Sequence, residues 1–135
     1  MESKEHIELV KVAYQYISSQ LSDLDRPLIS TDSDGNLSSY RVQGNYIPDV
    51  YYSDTSFMYI GEAKTEKDFG RKHSQEQFLS YIRELKLFSG KGVLVISIPW
   101  QLVATAKNYF RRLKMKEKCN TQVVILNELE QVFVV

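Results

Sequence analysis

Apolar residues recur at spacings of three and four in two long stretches of the chain, a pattern typical of amphipathic helices. The first stretch covers residues 4–21 and the second covers residues 74–88. Ser74 is the predicted N-cap of the second helix, because Gln77 follows it at the spacing of a capping box. A third helix is predicted after Pro99, over residues 100–118.

The segments between and after these helices are rich in aromatic and β-branched residues, which favour strands. NYIPDVYY (residues 45–52) and FMYIGEAK (residues 57–64) flank a short polar turn and predict a hairpin. The fully apolar run VLVISI (residues 93–98) predicts a buried strand, and residues 121–126 and 130–135 predict two short ones. Residues 37–43 alternate weakly and predict a first, exposed strand, after a turn-rich region that contains Pro27, Asp34 and Gly35.

The predicted elements follow the order α-β-β-β-α-β-α-β-β, which indicates an α/β domain with a mixed central sheet flanked by helices. A chain of 135 residues fits a single domain, residues 1–135, and can bury a core without disulfides or metal staples. Cys119 is the only cysteine, which favours a reducing compartment. The sequence has no apolar run of about 20 residues and no basic leader, so we expect a cytoplasmic protein with no membrane partner.

The formal net charge is zero, but the two halves of the chain differ in sign. Residues 1–62 hold 4 Lys or Arg against 10 Asp or Glu, whereas residues 63–135 hold 13 against 7. A neutral protein with one basic surface can still bind a polyanion, because the local field decides the interaction. The basic residues of the second half are also consistent with ordinary solvated helix faces.

Three charged residues interrupt the predicted hairpin. Glu62 and Lys64 lie two residues apart on one strand and therefore point to the same face. If the hairpin closes around residues 53–56, Asp49 lies near the level of Glu62. Two carboxylates provide the hard oxygen ligands that suit Mg²⁺ or Mn²⁺, and a lysine can stabilise charge that develops on a phosphate. The three residues are thus candidates for metal-assisted phosphodiester hydrolysis.

This arrangement resembles the PD-(D/E)XK nuclease superfamily: Pro48-Asp49 precedes a turn, and Glu62-Ala63-Lys64 follows it. The likeness covers roughly residues 4–98, where the predicted α-β-β-β-α-β order is similar to the restriction-endonuclease-like core. Gln77 and Tyr81 resemble the Gln-x₃-Tyr element of RecB-type nucleases. The resemblance implies a Mg²⁺- or Mn²⁺-dependent nuclease that acts on DNA, with endonuclease activity favoured.

The resemblance also implies a further metal ligand on the first helix, and here the match is less direct. His6 continues the apolar arc of that helix, and Glu5 lies at its edge. RecB-type nucleases place a histidine ligand upstream of the aspartate, so His6 is the first choice and Glu5 the second. A helix histidine beside a core is also consistent with a purely structural role.

The segment between Lys64 and the second helix is polar and basic. It contains Lys67, Arg71, Lys72 and His73, just beyond the predicted metal site. A mobile basic loop at this position is suited to gripping a phosphate backbone, which gives affinity without sequence information. We therefore expect these four residues to bind nucleic acid.

Other interpretations stay open. Glu62 and Lys64 could form an exposed cross-strand pair, Gln77 could cap its helix and Tyr81 could belong to the core. On that basis the chain could be a nuclease-fold module that binds nucleic acid or a protein complex without catalysis, or an unrelated α/β domain. Such a short chain leaves little room for a specificity domain, which suggests a homodimer or a targeting partner. The sequence does not decide between DNA and RNA, or between endonuclease and exonuclease.

Overall fold

The computed structural model describes residues 3–32, 40–42 and 44–135. Within them are four α-helices and two short 3-10 helices, the latter at Arg26–Leu28 and Trp100–Leu102. The α-helices are α1 (Lys4–Ser19), α2 (Glu66–Phe69), α3 (Lys72–Leu87) and α4 (Val103–Glu117). The helices predicted over residues 4–21, 74–88 and 100–118 are thus confirmed, with boundaries shifted by a few residues.

Six strands of the described chain form one open sheet in sequential order. They are β1 (Ser30–Thr31), β2 (Val50–Ser53), β3 (Phe57–Ala63), β4 (Lys91–Ser97), β5 (Gln122–Leu126) and β6 (Val132–Val134). Pairing is antiparallel from β1 to β3, parallel from β3 to β5, and antiparallel between β5 and β6. The protein is therefore an α/β domain with a mixed sheet, as the order of elements predicts.

Each face of the sheet packs against its own helices. Side chains of β3 alternate between the faces: Ile60 joins the core beneath α3 and α4, and Tyr59 joins the core beneath α1. The α1 core includes Ala13 and Ile17, which are fully buried. Tyr14, which follows Val10 and precedes Ile17 at the spacing of four and three that predicts this helix, is instead 37% exposed. The buried stripe of α1 is therefore narrower than the spacing of its apolar residues predicts.

The first strand of the described chain lies earlier than the strand that the sequence predicts over residues 37–43. The structure pairs Ser30 and Thr31, from the turn-rich region, with Tyr51 and Val50 of β2. Of the predicted strand, residues 37–39 and 43 lie outside the described residues, and so does the Asp34–Gly35 turn. Val42 makes only an isolated bridge to a nearby residue. A two-residue strand is held by backbone pairing with a distant segment, and no local pattern of side chains encodes that pairing.

The segment predicted as an irregular basic loop contains a helical turn, α2. Phe69 at its end is buried and contacts the ring of Phe78 on α3. The predicted Ser74 cap is also wrong, because Arg71 is the N-cap and α3 begins at Lys72. The Ser74 hydroxyl is buried and donates to the carbonyl of Asp68, 2.7 Å away. One apolar anchor and this hydrogen bond fold the segment against α3, which the polar composition conceals.

Candidate functional site

The hairpin register brings Asp49 and Glu62 together. Val50 pairs with Gly61, so the residue before β2 lies across from Glu62 near the end of β3. The Asp49 carboxylate (Oδ2) accepts a hydrogen bond from the backbone N–H of Ala63, at 2.9 Å. Both carboxylates are buried, with Asp49 7% and Glu62 4% exposed. Glu62 lies near the carboxyl end of β3, and Asp49 lies just before the amino end of the antiparallel β2. Both are therefore at the edge where the parallel strands β3 to β5 end, the edge at which open α/β sheets bind ligands.

The environment of Glu62 disfavours its charged form. Burial raises the pKa of Glu62 well above its usual range, and the negative charge of Asp49 raises it further. The Lys64 ammonium and the Tyr81 hydroxyl act in the opposite direction. Tyr81 donates to Glu62 Oε1 at 2.9 Å, and burial raises the pKa of Tyr81, so its hydroxyl keeps the proton that it donates. Lys64 and Tyr81 therefore only partly offset the burial and the repulsion by Asp49 that disfavour the Glu62 carboxylate.

Lys64 provides the positive charge of the site. Its ammonium lies 3.5 Å from Glu62 Oε2 and donates a hydrogen bond to the side-chain carbonyl of Gln77. Gln77 and Tyr81 are one turn apart on α3, so the helix supplies both contacts from one face. Gln77 does not form the predicted capping box, because its carbonyl is directed to Lys64. The structure brings these two α3 residues together with Glu62 and Lys64.

The first helix reaches the cluster through His6. Its Nε2 lies 3.3 Å from Asp49 Oδ2. Glu5 is exposed to solvent, and within the described chain it makes no hydrogen bond or ion pair with the cluster. Of the two first-helix candidates, the structure thus places His6 beside the predicted metal ligand and does not place Glu5 there.

Asp32 is a neighbour of the site that the sequence does not reveal. Its backbone N–H donates to the carbonyl of Asp49 at 3.1 Å. Burial raises the pKa of Asp32, the charge of Asp49 raises it further, and Arg41 lowers it. Asp32 lies in the region predicted as turns, and only the pairing of β1 with β2 shows that it adjoins the carboxylates.

The four basic candidates lie on the surface beside the cluster. Lys67, Arg71, Lys72 and His73 are all exposed. Arg71 lies 3.7 Å from Asp68, and the ring of His73 contacts Tyr46. Lys72 and His73 form the first turn of α3, and the same helix carries Gln77 one turn further on. The segment is therefore positioned to meet a ligand that reaches the carboxylates.

The donor set suits a hard divalent cation, although the described residues alone do not complete a coordination shell. Among the described residues, no three His, Cys, Asp or Glu side chains form a group that could hold a metal ion. Mg²⁺ is commonly bound by one or two carboxylates, with water and phosphate as its other ligands. Asp49 and Glu62 fit that mode of binding, since each is a buried carboxylate beside the other.

The fold and site together define an α/β domain with a buried cluster of two carboxylates and a lysine, at the edge of the sheet where the parallel strand β3 ends. Comparisons with protein-family models, with curated proteins and with solved structures find no match for this chain. No helix in the described part of the chain has the length and apolar character needed to cross a membrane.

Proposed function

We propose that this protein is a metal-dependent nuclease of the PD-(D/E)XK type that hydrolyses phosphodiester bonds, with DNA as the favoured substrate and internal cutting as the favoured mode. The observation that carries the proposal is the burial of Asp49, Glu62 and Lys64 in one cluster. Burying charges costs several kcal/mol per ion unless they are compensated. A function that uses the charges explains why they are kept.

The arrangement of elements supports the finer assignment of the fold. α1 precedes three antiparallel strands, and α3 then leads into β4, which pairs with β3 in parallel. This α-β-β-β-α-β order is the one that the restriction-endonuclease-like resemblance implies. The contacts of Gln77 and Tyr81 with the cluster add support, because the resemblance assigns those residues to the site.

Each side chain then has a distinct role. Asp49 and Glu62 would hold Mg²⁺ or Mn²⁺, which when bound supplies positive charge and acidifies water. The Lys64 ammonium, fixed by Glu62 and Gln77, would neutralise charge on the phosphate as water adds to phosphorus and one P–O ester bond breaks. His6, whose Nε2 lies 3.3 Å from Asp49 Oδ2, would orient that carboxylate.

A plasmid assay tests the proposal directly. Purified protein is incubated with supercoiled plasmid in Mg²⁺, in Mn²⁺ and in EDTA. Nicking or linearisation that requires the metal, and that is lost in Glu62→Gln, is the expected result. Inertness on plasmid, linear, branched and single-stranded DNA in both metals would contradict the proposal.

One observation favours a second candidate, a nuclease-fold module that binds nucleic acid or a protein complex without catalysis. The charged groups of the cluster already contact one another or the protein: Asp49 accepts from Ala63, and Lys64 contacts Glu62 and Gln77. Such a network can be purely structural. Binding of DNA without metal-dependent cutting would select this candidate.

A further inference from the structure

An aromatic pair lies on the surface next to the site. The rings of Tyr46 and His73 meet edge to face, with centroids 5.6 Å apart and planes at 66°. His73 is exposed and Tyr46 is half-buried. The Tyr46 hydroxyl lies 3.4 Å from the Glu76 carboxylate on α3. Two rings of different elements are thus held together where solvent can reach them.

A tight turn fixes the position of Tyr46. The backbone N–H of Val42 donates to the Tyr46 carbonyl at 2.8 Å, which closes the turn. Gly44 has φ of +89° and Asn45 has φ of +65°, conformations that most side chains rarely adopt. A Cβ on Gly44 would come within 2.9 Å of the Tyr46 ring. The turn is therefore shaped around that ring.

The pair adjoins the catalytic candidates on two sides. Along the chain, Tyr46 precedes Asp49 by three residues. On α3, His73 and Gln77 are four residues apart and hence neighbours on one helix face, about 6 Å from each other. Gln77 in turn contacts Lys64. A ligand whose phosphate reaches Lys64 would extend over the Tyr46–His73 pair.

A second aromatic pair nearby serves as a contrast. The rings of Tyr40 and Tyr51 are parallel, with centroids 3.8 Å apart. The Tyr40 hydroxyl donates to Glu84 at 2.6 Å. These two rings stack on each other, and the Tyr40 hydroxyl has its hydrogen-bond partner within the protein. The edge-to-face Tyr46–His73 pair, with its exposed imidazole, is the one suited to an external ring.

We infer that Tyr46 and His73 form a stacking platform for an unpaired nucleobase, so that the substrate carries single-stranded bases beside the phosphate at the site. This inference rests on the proposed function. Aromatic side chains interleaved with basic ones are the usual means of binding single-stranded nucleic acid, and Arg71 and Lys72 adjoin the pair. A duplex keeps its base faces within its own stack, so the platform favours unpaired bases.

Binding measured without catalysis tests the platform. Fluorescence anisotropy in EDTA compares a labelled single-stranded DNA of about 15 nucleotides with its duplex and with a series of abasic versions of the strand. We expect the unchanged protein to prefer the single strand, and one or two abasic positions to weaken binding about tenfold. In the double variant with Tyr46→Leu and His73→Leu, those abasic positions should no longer weaken binding.

Two further variants distinguish stacking from other effects. Tyr46→Phe removes the hydroxyl near Glu76 but keeps the ring, so it should retain the abasic effect. Tyr14→Ala removes an exposed tyrosine of α1, on the opposite face of the sheet, and should also retain it. Circular dichroism and the melting temperature check that the leucine variants fold.

The binding assay and the plasmid assay test the stacking platform and the nuclease proposal separately. Metal-dependent cutting of plasmid with equal abasic effects in the unchanged and leucine proteins would overturn the platform and leave the nuclease intact. An abasic effect that depends on Tyr46 and His73, without any cutting, would support the platform and reject the nuclease. Equal affinity for single strand and duplex would also overturn the platform.

Discussion

The protein places a glutamate beside a lysine in two regions with opposite surroundings. Glu8 and Lys11 lie on the outer face of α1, 3.3 Å apart, with side chains 63% and 62% exposed. Glu62 and Lys64 lie at the end of β3, 3.5 Å apart, with side chains 5% and 11% exposed. The pairs have similar distances and the same chemistry, so burial is the main difference between them.

Burial changes what each pair contributes. An exposed pair typically stabilises a protein by less than about 1 kcal/mol, because water and salt screen it. A buried pair loses the hydration of both ions, and hydrophobic residues in its place are often as stable or more so. The surface pair is therefore expendable, whereas the inner cluster is retained at a cost that stability alone does not explain.

The largest difference between the two regions should appear in catalysis. Asp49→Asn, Glu62→Gln or Lys64→Gln should each lower the rate of plasmid cutting by at least about 10³-fold, because each removes a charge from one reaction step. These changes keep side-chain size, which limits the loss of packing around a buried site. Double variants should be little worse than single ones, since the residues act together.

The exposed pair supplies the control for that experiment. Glu8→Gln and Lys11→Gln should cut at the unchanged rate. If any one variant of the cluster cuts at a rate close to that of the unchanged protein in saturating metal, the role assigned to that residue is wrong.

A second contrast compares two basic surfaces. Charge reversal at Lys67, Arg71 and Lys72, beside the cluster, should weaken DNA binding about tenfold or more at low salt. It should also flatten the dependence of affinity on salt, by about one unit of slope for each phosphate that the protein no longer neutralises. Anisotropy titrations at several salt concentrations measure both quantities.

The matched control reverses three exposed basic residues near the end of α4, namely Arg112, Lys116 and Lys118. Lys114 is left out because its ammonium donates to the carbonyl of Val135. The control should have the smaller effect. A greater loss of affinity in the control would place the DNA on the other side of the protein.

Metal should stabilise the folded protein through the buried cluster, and the exposed Glu8–Lys11 pair should not contribute to this effect. Mg²⁺ or Mn²⁺ that binds only the folded state at 100 times its dissociation constant adds about 2.7 kcal/mol of stability. The melting temperature should rise accordingly, and Glu62→Gln should reduce the rise. Glu8→Gln should show the full gain. A melting temperature that does not respond to millimolar Mn²⁺ in the unchanged protein would count against a metal site.

Features with strong local patterns are predicted well from the sequence. The aromatic and β-branched runs on both sides of a short polar turn predict the β2–β3 hairpin, which is confirmed. That register is enough to bring Asp49 close to Glu62. The apolar run of β4 and the stripe of α3 are likewise confirmed. β4 is buried at consecutive positions, as its continuous apolar run predicts, and α3 is buried at positions three and four apart, as its stripe predicts, so burial is encoded locally.

Features that depend on distant contacts are not predictable in this way. β1 is two residues long and exists because β2 pairs with it. The place of Asp32 beside Asp49 follows from that pairing. The contact between Tyr46 and His73 likewise joins a turn to a helix far along the chain. Only tertiary packing sets these positions, which is why the sequence shows the carboxylates but neither the place of Asp32 nor the Tyr46–His73 contact.

The smallest expected difference concerns the pH dependence of stability in EDTA. Burial and the charge of Asp49 raise the pKa of Glu62 in the folded protein above its ordinary value of 4.5. Between those two pKa values the folded state holds more protons than the unfolded state, so this group makes the free energy of unfolding fall as pH rises. Its contribution is fully present below about pH 4.5 and is lost as pH rises through the folded pKa.

One proton contributes a slope of at most about 1.4 kcal/mol per pH unit. Urea unfolding at a series of pH values should therefore show a shallower decline in Glu62→Gln than in the unchanged protein. Identical slopes in Glu62→Gln and the unchanged protein would mean that burial and the charge of Asp49 do not raise the pKa of Glu62.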